Sequence, residues 1–216
     1  LQQWRKQHAK GECYVVRYAD DFVICFEHES DARTCLVALK DRMEKFGLKL
    51  HPDKTRLIEF GRGSAAKRER EGRGRCETFD FLGFTHICGK TRRTKRFALQ
   101  RKTIAKRMRR TLAAVKEQLR KRRHDPLGKT GRWLASVVRG WLGYYSVPGN
   151  FLCLDQFITE VTKLWLRQIR RRSQRGRSRW TWSRMDRLRK KHLPHARIGH
   201  PYPGIRFHAR LGAGAV

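Results

Sequence analysis

The sequence predicts an α+β chain: a small antiparallel hairpin covered by a helix, then an all-α helix bundle and a basic tail. Three observations carry that expectation. Two strand-type runs, Tyr14–Val16 and Phe22–Phe26, flank a short polar turn. From about residue 102 onward the apolar residues instead recur at helical spacing. The charge divides as well. Residues 1–60 hold 11 Lys+Arg against 10 Asp+Glu, whereas the whole chain of 216 residues has 52 against 19, a net of +33. All but one unit of that excess lies beyond residue 60, in a part suited to lie against phosphates.

Each element follows from local pattern. Tyr14–Phe26 (YVVRYADDFVICF) is a hairpin signal with carboxylates at its tip. Ser30 can cap a helix whose apolar positions Ala32, Cys35, Leu36, Leu39, Met43 and Phe46 keep helical spacing, and Gly47 suits its stop. One face of that helix should cover the hairpin. Pro52 forces a turn within GLKLHPDKT, and Leu57–Phe60 can add an edge strand. Gly61–Arg75 (GRGSAAKREREGRGR) has no apolar periodicity and reads as an exposed, mobile loop. Ile104, Met108, Leu112, Val115 and Leu119 mark one helix; Trp133 to Tyr145 and Leu154 to Ile169 mark two more, which together make a small bundle.

Composition excludes several classes. A 39% hydrophobic and 10% aromatic content is too rich for a disordered basic tail, so a core is expected. No apolar run approaches the roughly 18 residues of a membrane span, and Leu1–Lys10 lacks the apolar centre of a secretory signal. No membrane partner is expected. The chain begins with Leu and reads as an internal or truncated piece. Six scattered cysteines contain no C-x-x-C, which indicates neither a zinc knuckle nor a disulfide framework and fits a reducing cytoplasm, bacterial or organellar.

Asp20 and Asp21 are the chemically pointed residues. Buried among Val, Ile and Phe they would be costly, but at a hairpin tip both can face solvent and offer hard oxygens to Mg²⁺. Such an ion activates a hydroxyl and stabilises a leaving oxygen in phosphoryl transfer. By itself an Asp-Asp pair is more often just a polar turn. Its setting is more specific: Tyr18-Ala19-Asp20-Asp21 between apolar runs, an amphipathic helix, GLKLHPDKT, then Phe79-Asp80-Phe81-Leu82-Gly83-Phe84. In that order these segments closely resemble the last palm motifs of reverse transcriptases. The resemblance implies that Asp20 and Asp21 ligate catalytic Mg²⁺, with Tyr18 and Ala19 beside the incoming dNTP. It places Lys54 as general acid toward the pyrophosphate, against the plain alternative of a solvated turn lysine. Phe81, Leu82 and Gly83 would grip the primer end, or simply form a core strand. The family takes a further carboxylate from an earlier palm strand, and residues 1–17 offer only Glu12. The fingers and early palm are therefore expected to be missing, and the chain alone is not expected to polymerise. An incomplete palm sheet would leave an edge open to association.

The basic half adds a second resemblance. Arg139-Gly140-Trp141-Leu142-Gly143-Tyr144-Tyr145, after a helix rich in Lys and Arg, looks like the thumb or X domain of group II intron maturases, which join reverse transcription to intron RNA folding. Physically, Gly140 and Gly143 would allow close helix approach and Arg139 would face phosphate. Trp141 and Tyr145 read as core more readily than as stacking residues. Candidate RNA contacts are Lys102, Lys106, Arg107, Arg109, Arg110, Arg139, Arg170, Arg171, Arg172, Arg175, Arg177 and Trp180. The alternative for the last of these is a disordered basic tail with unspecific affinity. The resemblance divides the chain into a partial palm with primer grip, 1–98, containing a flexible basic loop at 61–76; a thumb/X maturase domain, 99–172; and a basic tail, 173–216. No cysteine follows Cys153, so a Cys-rich endonuclease domain is not expected.

The implied partners are group II intron RNA, an RNA template with a DNA primer, and dNTP. Two other readings stay open. One is an RNA-binding splicing module without polymerase activity. The other is a different reverse transcriptase lineage, such as a retron or diversity-generating enzyme, against which the Arg139–Tyr145 stretch argues.

Overall fold

The computed structural model describes residues 2–91 and 93–202, except for the side chains of Gln2 and Arg177. The chain is mixed α and β and divides into two compact units, Leu1–Phe60 and Gly61–Val216.

In the first unit α1 (Gln2–His8) leads into β1 (Cys13–Tyr18), β2 (Asp21–Phe26) and α2 (Glu29–Glu44). The two strands pair antiparallel from Cys13↔Phe26 to Tyr18↔Asp21, so Ala19 and Asp20 alone make the loop. α2 buries Ala32 and Cys35, and Trp4 of α1 sets its ring edge-on to Phe26, with centroids 6.2 Å apart. Asp31, in the first turn of α2, is also buried. Its Oδ2 accepts hydrogen bonds from the backbone N–H groups of Lys10 at 2.8 Å and Gly11 at 3.1 Å, tying the chain that enters β1 to the helix. Burial opposes the charge of Asp31, but the Gly11 and Lys10 donors outweigh it and hold the carboxyl below its ordinary value. A depressed carboxyl stabilises the fold above its unfolded pKa, and that contribution is lost as pH falls. Acid titration of the hairpin and α2, followed by far-UV circular dichroism, should show stability declining below about pH 4. In Asp31→Asn the baseline stability should be lower and this acid-dependent part absent.

Two expectations for this unit are corrected. Helix α2 starts at Glu29 with His28 as N-cap, not at a Ser30 cap. Leu57–Phe60 forms no strand; a four-residue apolar run is too short for its β propensity alone to fix it extended. Strand β1 leaves Tyr14, Val15, Val16 and Tyr18 between 44% and 65% exposed.

The second unit opens with α3 (Arg62–Arg70), then a meander of β3 (Phe79–Phe81), β4 (Phe84–Lys90) and β5 (Phe97–Thr103) in the order β3-β4-β5. The bundle follows: α4 (Ala105–Lys121), α5 (Leu127–Tyr145), α6 (Phe151–Arg170), the short α7 (Gly176–Arg179) and α8 (Trp182–His192). Its core joins Val115 and Leu119 of α4, Leu134, Val138 and Trp141 of α5, and Phe157, Val161 and Trp165 of α6. These are the stripes that the spacing marks. Asn150, fully buried at the α5–α6 turn, ties this bundle to the sheet. Its Oδ1 accepts from Thr103 N–H at 2.9 Å, and its Nδ2 donates to Thr103 Oγ1 at 2.8 Å and to the Tyr145 carbonyl at 2.9 Å.

Three expectations change here. The segment expected as a flexible loop at 61–76 contains α3, in which Ala65–Arg70 (Ala, Lys, Arg and Glu) are all good helix formers; it buries no residue, which is why no apolar periodicity announces it. The tail expected from residue 173 folds in part. Helix α8 carries Met185, fully buried, and Leu193 just beyond it is also buried in the bundle core. Residues 203–216 of the expected tail lie outside the described residues. Gly140 and Gly143 do not serve close helix approach: both are exposed, and a Cβ at either would meet nothing within 4 Å. The close approach occurs at Gly131, where a Cβ would lie 2.6 Å from the His192 ring of α8.

Candidate active site and nucleic-acid interface

The hairpin tip of the first unit is strained. Ala19 has φ +54°, a left-handed conformation that costs a residue with a Cβ about 1–2 kcal/mol. Arg17 Nε donates to the Ala19 carbonyl at 2.8 Å and so fixes the loop from one side. The result is that Asp20, in the loop, and Asp21, first residue of β2 and opposite Tyr18, are both exposed. Tyr18 and Ala19 are exposed beside them. The pair offers carboxylate oxygens of the kind Mg²⁺ prefers. Among the described residues no group of three or more His, Cys, Asp or Glu comes together as a metal cluster. Lys54 sits in the His51–Thr55 turn with its side chain exposed; among the described residues that side chain has neither hydrogen bond nor ion pair.

In the second unit, Phe81↔Phe84 closes the β3–β4 hairpin, leaving Leu82 and Gly83 as its loop, both at positive φ (+48° and +81°). The bundle clamps this turn. Tyr144 Oη donates to the Leu82 carbonyl at 2.7 Å, and Ile104 N–H donates to the Gly83 carbonyl at 3.1 Å. Phe84 stacks on Tyr144 at 5.7 Å and meets Tyr145 edge-on at 5.3 Å. A Cβ on Gly83 would lie 3.3 Å from Tyr145 Oη, so this position needs glycine for space as well as for φ. The residues expected as a primer grip are thus a rigid, strained turn. Tyr144, which holds it, is a residue that sequence reasoning saw only as part of a motif.

The basic residues fall into two sets. Lys102, Lys106, Arg107, Arg109, Arg110, Arg139, Arg171 and Arg175 are exposed. Lys106, Arg109 and Arg110 share one face of the first turns of α4, which contains no acidic residue in its first turn. Beside them runs an open groove of about 390 Å³ lined by Arg107, Thr111, Val137, Gly140, Trp141, Tyr144 and Tyr145. Trp141 and Tyr145 are core residues, as their pattern suggests: Trp141 stacks on Phe157 at 4.2 Å.

The other set is committed to the fold. Arg170 Nε donates to the Trp180 carbonyl at 2.8 Å, and the Trp180 ring packs on the core under Arg184, 4.6 Å away. Trp180 and Arg170 therefore hold α6, α7 and α8 together; with its ring covered, Trp180 is not the free stacking surface expected of it. Arg172 is half-buried, its Nε has no hydrogen-bond partner, and burial lowers its guanidinium pKa against the opposing pull of Asp125. Arg122, at the end of α4, likewise has a buried Nε with no partner, and its guanidinium lies over Trp133 at 4.9 Å. The side chain of Arg177 lies outside the described residues.

The first unit thus presents an exposed carboxylate pair on a strained hairpin, and the second, by itself, a rigid β turn and a basic helical surface. Residues 1–86, about two fifths of the chain, match the family model for reverse transcriptase (RNA-dependent DNA polymerase), which supports a reverse transcriptase domain in this part. The match includes the Asp20–Asp21 hairpin and the β3–β4 turn. That family acts on a template, a primer and nucleotides and uses a divalent metal. No curated protein matches the chain. Among the described residues, no helix is long and apolar enough to cross a membrane.

Proposed function

We propose that this chain is the later part of a group II intron reverse transcriptase/maturase, contributing palm carboxylates for RNA-directed DNA synthesis and a helical surface that holds intron RNA. The observation that carries this reading is the exposed Asp20–Asp21 pair on a strained hairpin tip, inside the stretch matched by the reverse transcriptase family. Asp20 and Asp21 would hold Mg²⁺, which supplies charge stabilisation at the reacting phosphate when bound. Tyr18 and Ala19 would flank the dNTP, and Lys54, exposed and unpaired, would be available to protonate the pyrophosphate. The Phe81–Gly83 turn would support the primer end. The maturase component rests on the Arg139–Tyr145 stretch and on the basic, acid-free first turn of α4.

A second reading is an RNA-binding splicing module without polymerase activity. It is favoured by one fact: no third acidic group joins Asp20 and Asp21 among the described residues. Two carboxylates leave most of the coordination shell of Mg²⁺ to water and phosphate. Primer extension by the purified chain, abolished by Asp20→Ala, would exclude this second reading.

The maturase proposal is tested by binding the chain to a structured group II intron RNA and to a length-matched unstructured RNA across a salt series. Electrostatic attachment alone gives similar affinities that fall in parallel as salt rises. A recognition surface for folded intron RNA keeps an advantage for the structured RNA at high salt. Coincident curves would overturn it.

A further inference from the structure

The chain has six tryptophans, and five have their rings occupied. Trp4 meets Phe26, Trp141 stacks on Phe157, Trp165 is fully buried, and Trp133 and Trp180 lie under Arg122 and Arg184. Trp182 is different. Its side chain is 45% exposed, and among the described residues no aromatic ring or cation covers it. It opens helix α8 directly after Thr181, whose Oγ1 caps the helix by accepting from Arg184 N–H at 3.3 Å. A ring at a capped helix start is presented from a fixed backbone, not from a loose loop.

The surroundings of that ring are equally specific. Trp182 forms one wall of a hollow of about 230 Å³ whose other lining residues are Lys163, Leu166, Arg167 and Arg170, all on α6. Leu166, nearly buried, gives it an apolar floor. Arg167 is exposed and has no carboxylate partner among the described residues, while Lys163 spends its charge only on an exposed pair with Glu160 at 2.8 Å. Arg170 has its Nε fixed by the Trp180 carbonyl, which orients the guanidinium and leaves its terminal nitrogens free of that bond. An exposed tryptophan at a helix start can be mere tolerance, but tolerance does not require three cations around it. Like charges gathered on one helix face repel unless an anion lies between them.

We infer that the Trp182 hollow is a binding subsite for one unpaired RNA nucleotide, whose base stacks on Trp182 and whose phosphate is held by Arg167 and Lys163. The inference rests on the RNA-binding reading above and deepens it. The hollow is below the usual range of small-molecule pockets, about 300–1,000 Å³, and is suited to a single base, not to a duplex edge. Stacking needs a base outside a helix, so the subsite selects single-stranded or bulged RNA.

The test uses the full chain with a single-stranded RNA oligonucleotide and a blunt RNA duplex of equal charge, each measured for the parent, Trp182→Ala and Trp182→Phe over a salt series. Trp182→Ala should weaken single-strand binding by about tenfold, with little change for the duplex and no change in salt slope, because stacking releases no counterions. Trp182→Phe should recover most of the loss. Arg167→Gln should instead lower the salt slope by about 0.7. Far-UV circular dichroism should match the parent throughout, since the ring is exposed; if Trp182→Ala lost helix content it would be replaced by Trp182→Leu, which keeps apolar bulk and helix propensity but has no ring to stack. Equal loss on both RNAs, or no loss on either, overturns the subsite while leaving general RNA binding intact. A parent chain that binds neither RNA overturns the RNA-binding reading itself.

Discussion

Asn150→Ala should be among the most destabilising single changes in the second unit, costing about 3 kcal/mol, a value set by the donors and acceptors it would strand. The Asn150 side chain, fully buried, makes three hydrogen bonds, to Thr103 N–H, Thr103 Oγ1 and the Tyr145 carbonyl. Truncation removes all three partners at once. A buried donor or acceptor left unsatisfied costs about 1–3 kcal/mol, and relaxation at the turn lowers the sum below three full penalties. The measurement is urea unfolding followed by tryptophan fluorescence, where the midpoint should fall without a change in slope. A second consequence concerns the proposed primer grip. Asn150 holds the residues directly after Tyr144, and Tyr144 holds the Leu82 carbonyl. Hydrogen exchange at the Leu82–Gly83 turn should therefore speed up in Asn150→Ala. Asn150→Asp, which keeps the acceptor but loses both Nδ2 donations and buries a charge, should be no better.

Much of the fold is legible in the sequence where one period dominates. The α4, α5 and α6 stripes are visible because the apolar residues that mark them also make the core. The hairpin at residues 13–26 is visible because β-branched residues flank a two-residue turn. Helix α8 is hidden for the opposite reason: it holds itself to the bundle mainly through Met185 and neighbouring Leu193, set in a run of arginines and lysines, and so reads as tail. Helix α3 has no buried face at all. Glycines mislead for a related reason. Gly140 and Gly143 sit in a motif that suggests packing, yet they lie on the open side of α5, where Val138, Trp141 and Leu142 do the packing.

The candidate site is legible in part. Asp20 and Asp21 stand out not as a pair, which is usually a polar turn, but through the order of the segments that follow them. The structure adds the strain at Ala19 and the solvent exposure, neither of which a letter code displays. The tryptophans could not be ranked from sequence. Trp180 and Trp182 are two residues apart in the same basic stretch, and only the fold places one under Arg184 and leaves the other open. Polar residues such as Asn150 escape pattern reading altogether, because a buried hydrogen-bond knot depends on partners 47 residues away.

The other large effect should come from the basic face of α4, and two readouts should move in opposite directions. Lys106, Arg109 and Arg110 crowd the first turns of a helix whose N-terminal end already carries a partial positive charge. Positive residues there oppose the helix dipole and one another, so for the isolated fold they are a cost. Such an arrangement makes sense if a polyanion lies along it. Replacing all three with glutamine should therefore leave thermal stability unchanged or slightly raised, by up to about 1 kcal/mol. RNA affinity should fall sharply. If each residue neutralises one phosphate, the slope of log K against log salt should become shallower by about 2–3. At the duplex coefficient, that makes the affinity ratio between 50 and 200 mM salt about 40-fold smaller than for the parent. A control replacing Lys45 and Lys49, exposed residues of the first unit outside the proposed surface, should change the slope little. A triple variant that binds RNA like the parent would remove α4 from the interface. A variant that loses affinity and stability together would make these residues part of the fold, because a structural contribution moves both readouts the same way.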